Sequence, residues 1–150
     1  MKIAIQTEDF DVSTELILLR KDLPNIGGIN IFVGTVRDTH QGDDVHAMEL
    51  EHYPGMTEKS LKDILEQAQK RWEILNATII HRVGKLMPMD QIVFVAVATP
   101  HRGDAYAACE FIMDYLKTSA PFWKKEFTLQ GERWVDARTS DDERLKKWQA

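Results

Sequence analysis

The chain has 150 residues, 43% hydrophobic and 29% charged, with a formal net charge of -5. That length suits one ordinary domain, able to bury about 70% of the surface its unfolded form exposes, and the composition is that of a packed globular protein rather than a disordered one. An acidic chain without a block of like charges excludes general affinity for nucleic acid or an anionic membrane, so any basic site has to be local.

No apolar stretch approaches the ~20 residues that cross a bilayer, and the cytoplasm is the expected address. Cys109 is the sole cysteine, which excludes an internal disulfide, a Cys-x-x-Cys pair and a cysteine-rich zinc site. Its neighbours at helical spacing, Ala105, Ala108, Ile112, Met113 and Leu116, favour a buried structural thiol over a nucleophile.

In chain order, Lys2 to Gln6 alternates like a short strand, and Ser13 to Lys21 surrounds an apolar Leu16-Ile17-Leu18-Leu19 centre that suits a helix. Pro24 and Gly27-Gly28 break the chain. Ile29 to Arg37 reads as a strand ending at Arg37, His40 to Asp44 as a polar loop, and Val45 to Tyr53 as a second strand. The expectation is a hairpin pairing these two strands around a mobile tip. Thr57 is placed to cap a helix whose apolar residues Leu61, Ile64, Leu65, Ala68 and Trp72 recur at three and four positions.

Ala77 to Val83 and Gln91 to Thr99 are strands, separated by Gly84 to Asp90; Val93, Val95, Val97 and their neighbours are apolar enough for burial on both faces, hence central. Ala105 to Lys117 forms the second long helix, which Pro121 stops near Ser119. Phe122 to Thr128 returns as strand. The fold class is α+β: a single domain over residues 1–150 with mixed and antiparallel strands, two long helices and a loose tail after Asp141.

The chain lacks Gly-x-Ser-x-Gly, a P-loop, Gly-x-Gly-x-x-Gly and His-Glu-x-x-His. The histidines at 40, 46, 52, 81 and 101 show no ligand spacing on a helix, so no metal is expected. What remains is a set of cations at element ends: Arg37, His101-Arg102, Lys117 and Lys124. Arginine grips phosphate with a planar fork, while lysine supplies a compact charge and, with its pKa lowered by neighbouring cations, a transferable proton. The set suits a small anionic, phosphorylated substrate.

Plainer readings exist for each. A lysine in a last helical turn ordinarily complements the macrodipole, for ~0.3 to 1 kcal/mol, and on spacing alone that reading leads for Lys117. Arg37-Asp38 fits a surface ion pair, and Lys124-Lys125-Glu126 a solvated strand edge, with Lys124 and Lys125 on opposite faces. His101-Arg102 fits a solvent-facing helix start, His81-Arg82 a structural pair inside a strand, and Trp123 either core or a stacking platform.

Five segments together resemble the large, catalytic subunit of molybdopterin synthase, the MoaE family: Phe32-Val33-Gly34-Thr35-Val36-Arg37-Asp38, Leu50-Glu51-His52-Tyr53-Pro54-Gly55-Met56, His81-Arg82-Val83-Gly84, His101-Arg102, and Asp114-Tyr115-Leu116-Lys117 running on to Ala120-Pro121-Phe122-Trp123-Lys124-Lys125-Glu126. They span the chain from its first strand to about Arg138. One departure is Pro100, where a small non-proline residue is expected; its fixed φ bears on the placement of His101-Arg102.

The resemblance implies an α/β hammerhead-like fold and the passage of two sulfur atoms to cyclic pyranopterin monophosphate, making the molybdopterin dithiolene. It implies no cofactor. The donor would be a small ubiquitin-like, MoaD-like carrier with a C-terminal Gly-Gly thiocarboxylate, in a heterotetramer built on a dimer of large subunits. The present chain ends Trp148-Gln149-Ala150 and would be the receiver. Carried over position by position, Thr35, Val36, Arg37, His101, Arg102, Lys117, Lys124, Lys125 and Glu126 would line the substrate pocket, with Lys117 and Lys124 catalytic. The competing reading is a non-catalytic module for a phosphorylated ligand or single-stranded nucleic acid, which the acidic charge disfavours.

Overall fold

The computed structural model describes residues 1–40, 42–135 and 139–149. Four strands form a first sheet in the order β1 (Lys2–Gln6), β5 (Asn76–Arg82), β7 (Gln91–Thr99), β2 (Gly28–Thr35). β1 runs parallel to β5, and the other two pairs are antiparallel. A second sheet orders β3 (Thr39–His40), β4 (Asp43–His52), β8 (Phe122–Thr128), β9 (Gly131–Val135), with β6 (Gly84–Leu86) also paired to β4. The helices are α1 (Val12–Arg20), α2 (Met56–Arg71), α3 (Arg102–Ser119) and α4 (Thr139–Gln149). None is long and apolar enough to cross a membrane.

The unbroken apolar run of β7 is explained by what covers it. Val93, Val95 and Val97 pack against α2 and α3 through Leu61, Leu65, Ala108 and Ile112. Phe94, Ala96 and Ala98 face the other way, into a cluster with Phe10 and Leu19 of the α1 side. Each fully buried large side chain here stabilises the fold by about 1.5 to 3 kcal/mol. The sheet is thus a middle layer, and the end of α3 is held at the rim where the second sheet begins.

The expected hairpin between Ile29–Arg37 and Val45–Tyr53 does not form. β2 pairs instead with β7, from Gly28↔Thr99 to Thr35↔Gln91, and β4 lies in the second sheet against β8 and β6. Two cores divide the strands: Ile29 and Val33 pack into the α1-side cluster, whereas Met48 and Leu50 pack with Val36 and Leu86. The start of β2 presses on the β7–α3 turn, where a Cβ on Gly27 would lie 1.9 Å from the Pro100 carbonyl oxygen.

Thr57 is not the cap of α2. Gly55 holds that place at φ 85°, and its N–H donates to Glu58 Oε2 at 2.6 Å. Thr57 is buried in the first turn, its hydroxyl donating to the Tyr53 carbonyl at 2.8 Å. α3 ends as Pro121 requires, with Ala120 extended at ψ 138°.

The segment after Asp141 is not a loose tail. α4 packs along α3, with Arg144 Nε and Trp148 Nε1 donating to the two oxygens of buried Asp114 at 2.9 and 2.7 Å. The Trp148 ring meets Trp72 and Phe111 edge-on. The polarity that makes this stretch resemble a solvated tail is spent on charges paired across the helix interface.

Candidate functional site

Lys117 stands in the last turn of α3, and the turn at Ala120-Pro121 sends β8 back past that end, returning Lys124 to the same neighbourhood. Arg37 arrives from the crossover between the sheets. That crossover is clamped: Val36 N–H donates to the Asp90 carbonyl, and Val36's own carbonyl accepts from Met89 N–H, both at 2.9 Å. Val36 is 3% exposed, its side chain in the second core. It therefore aims Arg37 and offers no side chain to a ligand, while Thr35 lies exposed at a bulge ending β2.

The three cations feel one another. Lys117 opens to solvent from a concave wall crowded by protein, and that burial lowers its pKa below the usual lysine value; Asp141 opposes the shift and Arg37 adds to it. Burial also lowers Lys124, joined by the charges of Lys117 and Arg37 and opposed by Glu126 and Asp141. A lysine with a lowered pKa gives up its proton more readily than an ordinary one, which suits it to proton transfer. Beside Lys117 lies a cavity of about 360 Å³, walled by Asn30, Phe32, Cys109, Met113, Asp114 and Asp141 among others.

The remaining expected residues divide. Lys125 points away from Lys124, to Glu132 at 3.5 Å and over the Trp134 ring at 4.8 Å. Glu126 is 3% exposed and bonded to His40 and Arg133. Trp123 is partly exposed and edge-on to Tyr53 at 4.6 Å. His101 and Arg102 are exposed at the start of α3, where no side chain caps the helix. At 1.5 Å per residue, Arg102 lies about 22 Å along the axis from Lys117. Within one chain, the predicted set falls into two separate groups at opposite ends of α3.

Two site neighbours escaped the sequence reading. Asp141, at the start of α4, supplies the counter-charge to both lysines; nothing in its own segment signals this. His81, read as structural, is buried, stacks on Phe122 at 3.8 Å and bonds through Nδ1 to the Arg82 carbonyl at 2.8 Å. Its pKa is lowered to about 4, chiefly by burial, with Lys117 and His52 contributing and the bond to the Arg82 carbonyl opposing. Alternation from Ala77 and Ile79 puts it on the α3 face of β5, the signal that could have found it. Cys109 is a buried thiol pushed up to about 11 by burial, in keeping with a structural role. Among the described residues no group of His, Cys, Asp or Glu is placed to hold a metal.

The profile of the MoaE protein family matches residues 5–119. The molybdopterin synthase catalytic subunit of Ralstonia nicotianae is 60% identical, over 97% of this chain and 83% of its own; that of Haemophilus influenzae is 54% identical, over 99% and 98%. Among solved structures, the molybdopterin biosynthesis MoaE protein from Burkholderia ambifaria superimposes with a TM-score of 0.86 at 58% identity, covering 99% of this chain and 98% of that one. Molybdopterin synthase from Staphylococcus aureus gives 0.80 at 32% identity, covering 90% and 96%.

Proposed function

We propose, since this chain belongs to the MoaE family, that its basic cluster holds cyclic pyranopterin monophosphate against a carrier's C-terminal thiocarboxylate, whose sulfur passes directly to the pterin. The role is that of the molybdopterin synthase catalytic subunit, an enzyme of sulfur transfer in molybdenum cofactor biosynthesis. The observation that carries the assignment of residues is the convergence of Arg37, Lys117 and Lys124, which arrive from the crossover, α3 and β8 close enough for their charges to act on one another. Arg37 and Lys124 hold the phosphate. Lys117 stabilises the negative charge that develops as the thiocarboxylate adds, and donates protons to the departing oxygens. The carrier is a small, Gly-Gly-tailed MoaD-like protein, and the setting is cytoplasmic.

His101 and Arg102 enter from a second copy of the chain. β2 is an edge of its sheet and exposes Ile31 and Phe32 near its middle. Its first residues touch Arg102, whose Cα lies 3.2 Å from where a Gly28 Cβ would be, and its last lead to Arg37. Two such edges paired antiparallel about a two-fold axis bring one copy's Arg102 to the other's Arg37 and Lys117. The heterotetramer follows by adding one carrier to each large subunit.

The test is reconstitution: purified chain, thiocarboxylated carrier and the pyranopterin precursor, with dithiolene formation measured in single turnover. Product formation is expected. Tight precursor binding without product, with carrier saturating, would return the chain to the class of binding modules.

A further inference from the structure

Glu126 and Lys124 lie two residues apart on β8 and so share a face of the strand. Glu126 is 3% exposed, and its Oε1 meets His40 Nδ1 at 2.7 Å and Arg133 Nε at 3.2 Å. Arg133 goes on to Asp43 Oδ2 at 2.6 Å and to the His40 carbonyl at 3.1 Å. One carboxylate thereby ties His40 of β3 and Arg133 of β9 to the strand that carries Lys124.

Sheet pairing alone does not ask for this. Burying a carboxylate is costly unless its partners compensate, and a buried ionic cluster replaced as a whole by apolar residues of similar volume is often no less stable. A charged group kept at position 126, with two donors on one oxygen, has its best explanation in what it faces. Lys124 is flanked across the sheet by Leu50 and Val135. The charges that act on it are Lys117 of α3 and Arg37 of the crossover, which repel its proton, and Glu126 of its own strand with Asp141 of α4, which retain it. Of the two counter-charges, only Glu126 is buried and held by donors from other strands.

We propose that His40 and Arg133 are positioning residues of the active site, holding the Glu126 carboxylate on the Lys124 face of β8 as that lysine's fixed counter-charge, so that Lys124 grips the anionic substrate and Lys117 moves protons. This rests on the catalytic reading above. It gives the two lysines different tasks from different surroundings, the pattern by which paired titratable groups divide acid–base work. It also gives Glu126 a part in the site without direct contact with the ligand.

Site-resolved acylation of lysine amines, followed by mass spectrometry across a pH series with acetic anhydride as probe, reads the free-amine fraction of Lys124 without substrate or carrier. Exposed Lys59 is the internal reference. Glu126→Gln should raise the Lys124 acylation rate several-fold near pH 8 and move its midpoint to lower pH. His40→Leu should do the same, and His40→Asn, whose amide nitrogen replaces Nδ1, should restore the wild-type profile. An unmoved Lys124 profile in folded Glu126→Gln overturns the proposal. So does equal behaviour of His40→Leu and His40→Asn, which would make His40 a packing residue. Should the buried variants fail to fold, Arg133→Gln, at the half-exposed rim, is read in the same way. A failed sulfur-transfer assay leaves this measurement standing and removes only the catalytic reading.

Discussion

Arg102 opens α3 and Lys117 stands in that helix's last turn, about 22 Å away along the axis. Neither side chain is long enough to close that gap, so a site that needs both draws them from two copies. The prediction is complementation. Arg102→Ala and Lys117→Ala should each be severely impaired alone. Mixed and allowed to exchange subunits, they should recover about a quarter of wild-type activity per site: half the dimers are hybrids, and each hybrid has one intact site. Absence of recovery in a sample shown to contain hybrids would place Arg102 and Lys117 in separate functions.

Much of the chain was legible in sequence. The both-face apolar pattern of β7 marks a central strand, the three-and-four spacing marks α2, and Pro121 marks the end of α3. The partner of a strand is another matter. A period of two tells that Ile29 and Val33 share a face, but not whether that face closes on β4 or lies beside β7, because sequence neighbours are only the commoner choice. Lys117 and Lys124 were legible as cations at element ends. Asp141 was not, since its role comes from the packing of α4 through Asp114, Arg144 and Trp148. The separation of Arg102 from Lys117 was available all along, from the rise of a helix.

Lys117→Ala should lower single-turnover product formation by about a hundred- to a thousandfold, the cost of losing a group that meets charge developing in the transition state. Fold and carrier binding should persist. Lys117→Arg should also fail, since arginine keeps the charge but cannot release a proton. Lys125→Ala, on the opposite face, should be mild, and Cys109→Ala should retain sulfur transfer. Near-normal turnover by Lys117→Ala would return this lysine to a helix-end role and leave Lys124 as the acid.

The pH dependence should identify the same group. Burial and Arg37 lower the Lys117 pKa while Asp141 raises it. If the alkaline limb of single-turnover product formation reports Lys117 losing its proton, Arg37→Met should move that limb to higher pH and Asp141→Asn to lower pH. Precursor and carrier are held saturating, so that weaker binding by the Arg37 variant does not distort the profile. Shifts in the same direction, or none, would assign the limb to another group.

His81 makes a prediction about stability. Its pKa is 6.5 ordinarily and about 4 in the fold, chiefly because burial disfavours the imidazolium. Between those values the unfolded chain binds a proton that the folded chain refuses, so stability rises with pH across that window. The contribution is fully present above about pH 6.5 and is lost as pH falls toward 4; it amounts to roughly 3 kcal/mol at most, at about 1.4 kcal/mol per unit. His81→Asn keeps a donor for the Arg82 carbonyl and cannot titrate. It should be less stable than wild type at neutral pH, having lost the stack on Phe122, but its urea midpoint should fall less between about pH 6.5 and 4.5. Carboxylates titrating in the same range affect both proteins alike, so the difference between the two curves isolates the histidine. Parallel curves would show that His81 accepts its proton in the folded state, for which the space between Phe122, His52 and Lys117 would have to open.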